Sequence, residues 1–284
     1  SAEYDGRTTM RASTAIGIAF GFSTLLIGAM MEGTSPSAFF NVPAAVIVLG
    51  GTLGAVLAST GLEPVKKVPA LYKKAFSPEP LDMQARVDVL VGLAEKARRE
   101  GLLALEEDLA AIDDEFSRKG LQLVVDGTDP ELLAEVMEAD THAMQARHKA
   151  NANVFMKAGA FAPTIGVMGT VVGLVSVLGN LSAPETLGPS IATAFIATLY
   201  GIGAANLVIL PTGTRLGVLS AEEAQKRTLI LEGILAIQAG DNPRVVQEKL
   251  LSFLSPEERE DVRNGGEKPK LTAVDAGADE AKAA

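Results

Sequence analysis

The chain has 284 residues and a formal net charge of -10, and it is 48% hydrophobic yet 21% charged, so apolar segments and a large polar portion share one sequence. It contains no cysteine, which excludes disulfides, thiolate catalysis and cysteine-based metal sites. The acidic balance argues against a nucleic-acid footprint, and His142 and His148 are six residues apart, too far off one helical face to pair on a metal.

In chain order, Ser13–Met31 and Phe39–Ser59 are apolar and free of Asp, Glu, Lys, Arg and His, as are Phe161–Leu181 and Ile191–Leu210. Each suits a bilayer core, which takes ~20 apolar residues per helix. No cleavage site follows the first stretch, so it reads as a span rather than a signal peptide. The links Glu32–Ala38 and Ser182–Ser190 carry no Lys or Arg. Arg7 and Arg11 precede the first span, Lys66, Lys67, Lys73 and Lys74 follow the second, and Arg215, Lys226 and Arg227 follow the fourth. Positive residues mark the cytoplasmic side. Both termini and Thr60–Ala158 are therefore expected inside, and the two short links outside.

The soluble portion reads as helical. Leu81–Glu100 is periodic and stops at Gly101, a candidate C-cap. Leu105, Leu109, Ile112 and Phe116 then recur at helical spacing, and Gly120 is expected to end that helix. Asp126-Gly127-Thr128-Asp129-Pro130 is a turn with proline at a helix start. One polar helix would run from there through Lys149 and Lys157 into the third span. After Pro211 a helix continues to about Ala239, and Asp241-Asn242-Pro243 opens another with an apolar stripe of Val246, Leu250 and Phe253/Leu254. Strand signals are lacking. The expected class is all-α: a four-span helical membrane protein with a helical cytoplasmic domain. Its parts are a lead at 1–12, spans 1 and 2 at 13–59, a cytoplasmic domain at 60–158, spans 3 and 4 at 159–210, C-terminal helices at 211–256 and an acidic, disordered tail at 257–284.

The spans contain polar oxygens but no carboxylate. Gly166, Gly169 and Gly173 recur in the third span around Thr170, and Ala194, Ala197, Thr198, Gly201 and Ala205 line one side of the fourth, followed by Asn206. One reading is close helix packing through small residues. The other is a narrow path with Thr170, Thr198 and Asn206 as oxygen ligands. An ion-moving protein places an ionisable group in the membrane; here that group would have to come from a partner. The small faces of spans 3 and 4 are expected to point toward that partner, with the Leu- and Ile-rich faces of spans 1 and 2 on lipid. Pro163 and Pro211, at the cytoplasmic ends of spans 3 and 4, either end or bend a helix or act as hinges. No phosphate loop, nucleophile motif or metal cluster supports an enzyme.

Asn41-Val42-Pro43 with Ile47-Val48-Leu49-Gly50-Gly51-Thr52 resembles the second span of flagellar motor stator A subunits, the MotA/PomA family. The resemblance continues in the run from Ala97 to Glu106, the run from Ala162 to Leu174, Ala197-Thr198-Leu199-Tyr200-Gly201, Asn206, Pro211 and Leu231–Phe253, in family order and spacing. It implies a ring of five such subunits around two single-span B subunits, each with one intramembrane aspartate, in the bacterial inner membrane. It also implies rotor-facing charges at Arg98 and Glu106 that push on the rotor switch ring, a pore threonine at Thr198 and hinges at Pro163 and Pro211. Arg98 and Glu106 flank Gly101 and so occupy a helix corner. The run Gly169-Thr170-Val171-Val172-Gly173-Leu174 is similar to the sodium-type version, which makes Na+ the expected ion and H+ the alternative; no bound cofactor is expected. Competing readings are an ExbB/TolQ-type energiser of envelope transport and a non-conducting membrane scaffold.

Overall fold

The computed structural model describes residues 6–77, 83–179, 182, 184–256 and 258–259. All but two residues of the 257–284 tail, and the start of the 1–12 lead, lie outside the described residues. Every regular element among the described residues is helical, and four helices are long and apolar enough to cross a membrane. The chain divides into two compact units, one built from residues 1–81 and 139–224, the other from 82–138 and 225–284.

The first unit carries the apolar helices. α1 (Gly6–Met31) is followed by a 3-10 turn at Pro36–Phe39. The second span starts at α2 (Val42–Ala45), where the Asn41 side chain accepts from the Ala44 N–H at 2.9 Å and Pro43 sits in the first turn. It widens into a π segment at Val46–Gly50 and resumes as α3 (Gly51–Thr60), ended by Gly61 at φ 77. Two short helices, α4 (Leu62–Lys66) and α5 (Val68–Phe76), follow. Ala75 of α5 packs with Phe155 and Leu216. α8 (Pro130–Gly179) is one continuous helix, as expected from the turn at Pro130 into the third span; Pro163 lies inside it and does not end it. α9 (Pro184–Gly203) passes into a second π segment, Ala204–Ile209, and then α10 (Leu210–Gln238).

The second unit is a helical core built from α6 (Met83–Glu100), a 3-10 helix (Leu102–Ala111), α7 (Glu115–Val125), the start of α8, the end of α10 and α11 (Pro243–Leu251). Val87, Leu105, Leu121, Leu133, Met137, Leu229, Ile234, Val246 and Leu250 are fully or almost fully buried there. The stripe expected after Pro243 is thus a core face, and Asn242 caps its helix by accepting from the Arg244 N–H at 3.1 Å. The helix expected through Leu105 and Phe116 is instead two elements. Asp114 breaks it: its carboxylate accepts from the Ser117 N–H at 2.9 Å and so caps α7. Gly120 does not end a helix. It lies inside α7, where a Cβ would stand 2.5 Å from Ile234 Cδ1 and 2.8 Å from Met137 Cε, so its role is close packing.

Asp114 also joins α7 to α10. Lys226 Nζ lies 2.7 Å from its Oδ1, and the Ser117 hydroxyl 2.6 Å from its Oδ2. Burial pushes this carboxyl's pKa up, but the hydrogen bonds from Lys226 and Ser117 and the Lys226 charge outweigh it and hold the pKa at about 2.

Candidate functional site

The small-residue faces of spans 3 and 4 face each other. A Cβ on Gly201 would lie 2.4 Å from the Ala162 carbonyl oxygen and 3.0 Å from Gly166 Cα; one on Gly166 would lie 2.8 Å from the Ala197 carbonyl oxygen. Further along, Gly169 meets the Ala197 methyl, and Gly173 meets the Ala194 methyl and Cα. Backbone therefore crosses backbone with no space for a side chain, the arrangement small residues permit in membranes. This corrects the expected orientation. The faces left uncovered within the subunit are the apolar ones, with Val167, Met168, Val171, Val175 and Leu178 all exposed on α8.

Thr170 and Thr198 sit inside this crossing, both half-buried. Their hydroxyl oxygens are 2.5 Å apart. Thr170 Oγ1 is 3.0 Å from the Ala194 carbonyl and 3.3 Å from the Gly166 carbonyl; Thr198 Oγ1 is 3.4 Å from the Gly166 carbonyl. Four oxygens thus converge between the charge-free spans 161–181 and 191–210. Asn206 is not part of this group. It lies in the π segment and donates from Nδ2 to the Ile202 carbonyl at 2.9 Å. It lines a cleft of about 340 Å³ with Thr14, Gly17, Ile18, Leu207 and Pro211. Eight residues separate Asn206 from Thr198, about 12 Å along a helix axis, so its amide stands beyond reach of the threonine pair.

Pro163 lies within α8 and Pro211 at the second position of α10, directly after the π segment. Between them the two helices touch closely: a Cβ on Gly159 would be 2.3 Å from Leu210 Cδ2, and one on Gly213 would be 2.9 Å from Phe155 Cβ. Two links had no clear signal in the sequence. The Tyr200 hydroxyl donates to the Phe39 carbonyl and accepts from the Asn41 N–H at 3.0 Å, joining the fourth span to the start of the second. Lys157 Nζ donates to the Ser59 carbonyl at 2.9 Å, at the other end of the second span.

In the second unit, α6 turns at Gly101, whose φ of 87 favours glycine. Arg98 and Arg99 precede the turn and Glu106 and Glu107 follow it, all exposed, so the corner expected from the sequence is present.

Four apolar helices long enough to cross a membrane, two of them crossing through glycine, together with a charged helical unit, define a helical integral membrane protein. A family model described as the MotA/TolQ/ExbB proton channel family matches residues 108–228. The chain is 39% identical to motility protein A of Borreliella burgdorferi over 91% of this chain and all of that one. It is 36% identical to chemotaxis protein PomA of Vibrio alginolyticus over 88% of this chain and 98% of that one. Among solved structures it is similar to the flagellar MotAB stator complex from Bacillus subtilis, with TM-score 0.82, 36% identity and coverage of 87% and 98%. It is likewise similar to C. jejuni MotAB, with TM-score 0.83, 31% identity and coverage of 86% and 96%. The chain belongs to the MotA/TolQ/ExbB proton channel family, among its MotA/PomA stator members.

Proposed function

We propose that this chain is the A subunit of a sodium-driven flagellar stator in the bacterial inner membrane. Several copies, five by family resemblance, would surround two single-span B subunits, each supplying an intramembrane aspartate. Ion passage past that aspartate turns the ring, and Arg98 and Glu106 push on the rotor switch ring. Pro163 and Pro211 act as hinges between the spans and the soluble helices. The basic residues beside the spans favour cytoplasmic termini.

The observation that carries the ion assignment is the convergence of Thr170 Oγ1, Thr198 Oγ1 and the Gly166 and Ala194 carbonyls in a span pair without charge. A proton needs only a water path to a carboxylate. Sodium must exchange hydration water for protein oxygens, and hard cations favour such ligands. Here the two hydroxyls bond each other, so an arriving ion replaces their mutual hydrogen bond and draws on the partner's carboxylate for charge. Asn206, on the α1 side, serves a different stretch of the path.

The test is swimming speed, or stator-dependent flux, against external sodium at fixed pH and membrane potential. Saturable dependence on sodium that Thr170→Ala weakens is expected. Speed indifferent to sodium and responsive to the proton gradient would overturn the sodium assignment.

A further inference from the structure

The ten residues after Gly101, Leu102–Ala111, form a 3-10 helix. Runs of this conformation beyond three or four residues are uncommon, because its hydrogen-bond geometry is poorer than that of an α-helix. The conformation decides which side chains stand together, since residues three apart eclipse in a 3-10 helix. Leu102 and Leu105 share one stripe, and Leu105 is fully buried in the core below. Leu103 and Glu106 share the next stripe, and both point to solvent. In an α-helix these two would be turned about 60° from each other. Leu103 is 72% exposed, more than any other large apolar side chain described in the second unit.

One exposed leucine is ordinary on a protein surface. This one stands on a corner with Arg98 and Arg99 on one side and Glu106 and Glu107 on the other. The corner is also clamped. Lys96 Nζ, on α6, lies 2.9 Å from Asp108 Oδ2 and 3.7 Å from Glu107 Oε2, both on the 3-10 helix. The Asp108 carboxylate beside it is the main reason the Lys96 ammonium titrates above its ordinary range. The clamp fixes the helix end that carries Arg98 against the segment that carries Leu103 and Glu106.

We infer that Leu103 is the apolar anchor of the rotor-facing edge, stacked over Glu106 by the 3-10 conformation, and that Lys96 is the positioning residue that holds this edge. The inference rests on the stator reading above. The surface it fits is a rotor switch-ring protein with an apolar pocket flanked by one acidic and one basic patch. A few well-packed residues carry most of an interface's energy where the surrounding contacts exclude water. The flanking charges steer the approach and set register.

The test uses the full chain with its B subunit in cells lacking their own stator. A photo-cross-linking residue at position 103 should capture the rotor switch protein as well as one at position 106, and far better than one at exposed Ala110. Leu103→Ala should weaken capture about tenfold and lower torque with ion flux unchanged, and Leu103→Met should restore both. Lys96→Met should reproduce the loss and Lys96→Arg should reverse it. Normal torque in Leu103→Ala, beside a defect in a Glu106 charge reversal, overturns the anchor and leaves the stator reading standing. A normal phenotype in both overturns the rotor-facing edge itself. A Lys96→Met defect that Lys96→Arg fails to rescue overturns the positioning role.

Discussion

Asp114 shows how one side chain can fasten a membrane protein's soluble helices. It caps α7, bonds the Ser117 hydroxyl and pairs with Lys226 on α10, and its carboxyl titrates at about 2 instead of near 4. A carboxyl depressed in the folded state adds stability above its unfolded pKa and loses it as pH falls through the folded value. The contribution is on the order of 2 kcal/mol, present above about pH 4 and gone near pH 2. Asp114→Asn is therefore expected to lower the unfolding midpoint of the soluble helices at pH 7. The gap from the parent chain should close as pH drops from 4 to 2, as followed by circular dichroism of the detergent-solubilised protein. A gap that is constant with pH would remove the ion pair from the account. At this scale the sequence was only partly legible. Gly101 and Gly127 do adopt positive φ at the turns expected of them. Gly120 carries the same letter for a different reason, since the space taken by Ile234 and Met137 is invisible until the chain folds.

At the scale of elements, the spans could be read from length and apolarity, because a bilayer imposes both. The start of α8 at Pro130 and of α11 at Pro243 was legible from prolines that favour first turns. The 3-10 helix and the two π segments were not, because no residue type specifies an extra or a missing residue per turn; neighbouring helices decide it. Pro211 follows one π segment and has no N–H to offer the Leu207 carbonyl. Pro211→Ala restores that donor and stiffens the joint. If the hinge proposed here operates, the variant keeps or raises its thermal midpoint in detergent while stator-dependent swimming slows. Unchanged swimming with a raised midpoint would leave Pro211 a structural role only.

At the scale of the whole molecule, the crossing of spans 3 and 4 redirects the question of assembly. Glycine stripes serve equally well within a subunit or between subunits, so the sequence could not choose; the backbone contacts at Gly166 and Gly201 place them within one subunit. Among the apolar faces left exposed, on all four spans, is the one through Val167, Val171 and Val175. Lipid gives no hydrophobic drive between helices, so a neighbouring copy seated on that face would be held by close packing. Val171→Asp places a charge there, at a cost of about 2.5–3.5 kcal/mol near a membrane midplane. It is expected to shift the purified complex from a closed oligomer toward smaller species, as weighed by light scattering in mild detergent. An unshifted mass would mean that this face meets lipid alone.

The π segment at Ala204–Ile209 bears on how such chains are compared and how they diverge. A π turn is an α-helix that has absorbed one more residue locally, so the helix on either side keeps the orientation it would have without it. Losing a single residue within this stretch would leave Thr198 and Pro211 on the faces they already occupy. A deletion is usually among the harshest changes a buried helix can suffer, because it rotates everything beyond it. Here the fourth span holds a slack position, one at which length can vary by one while both flanks stay in phase.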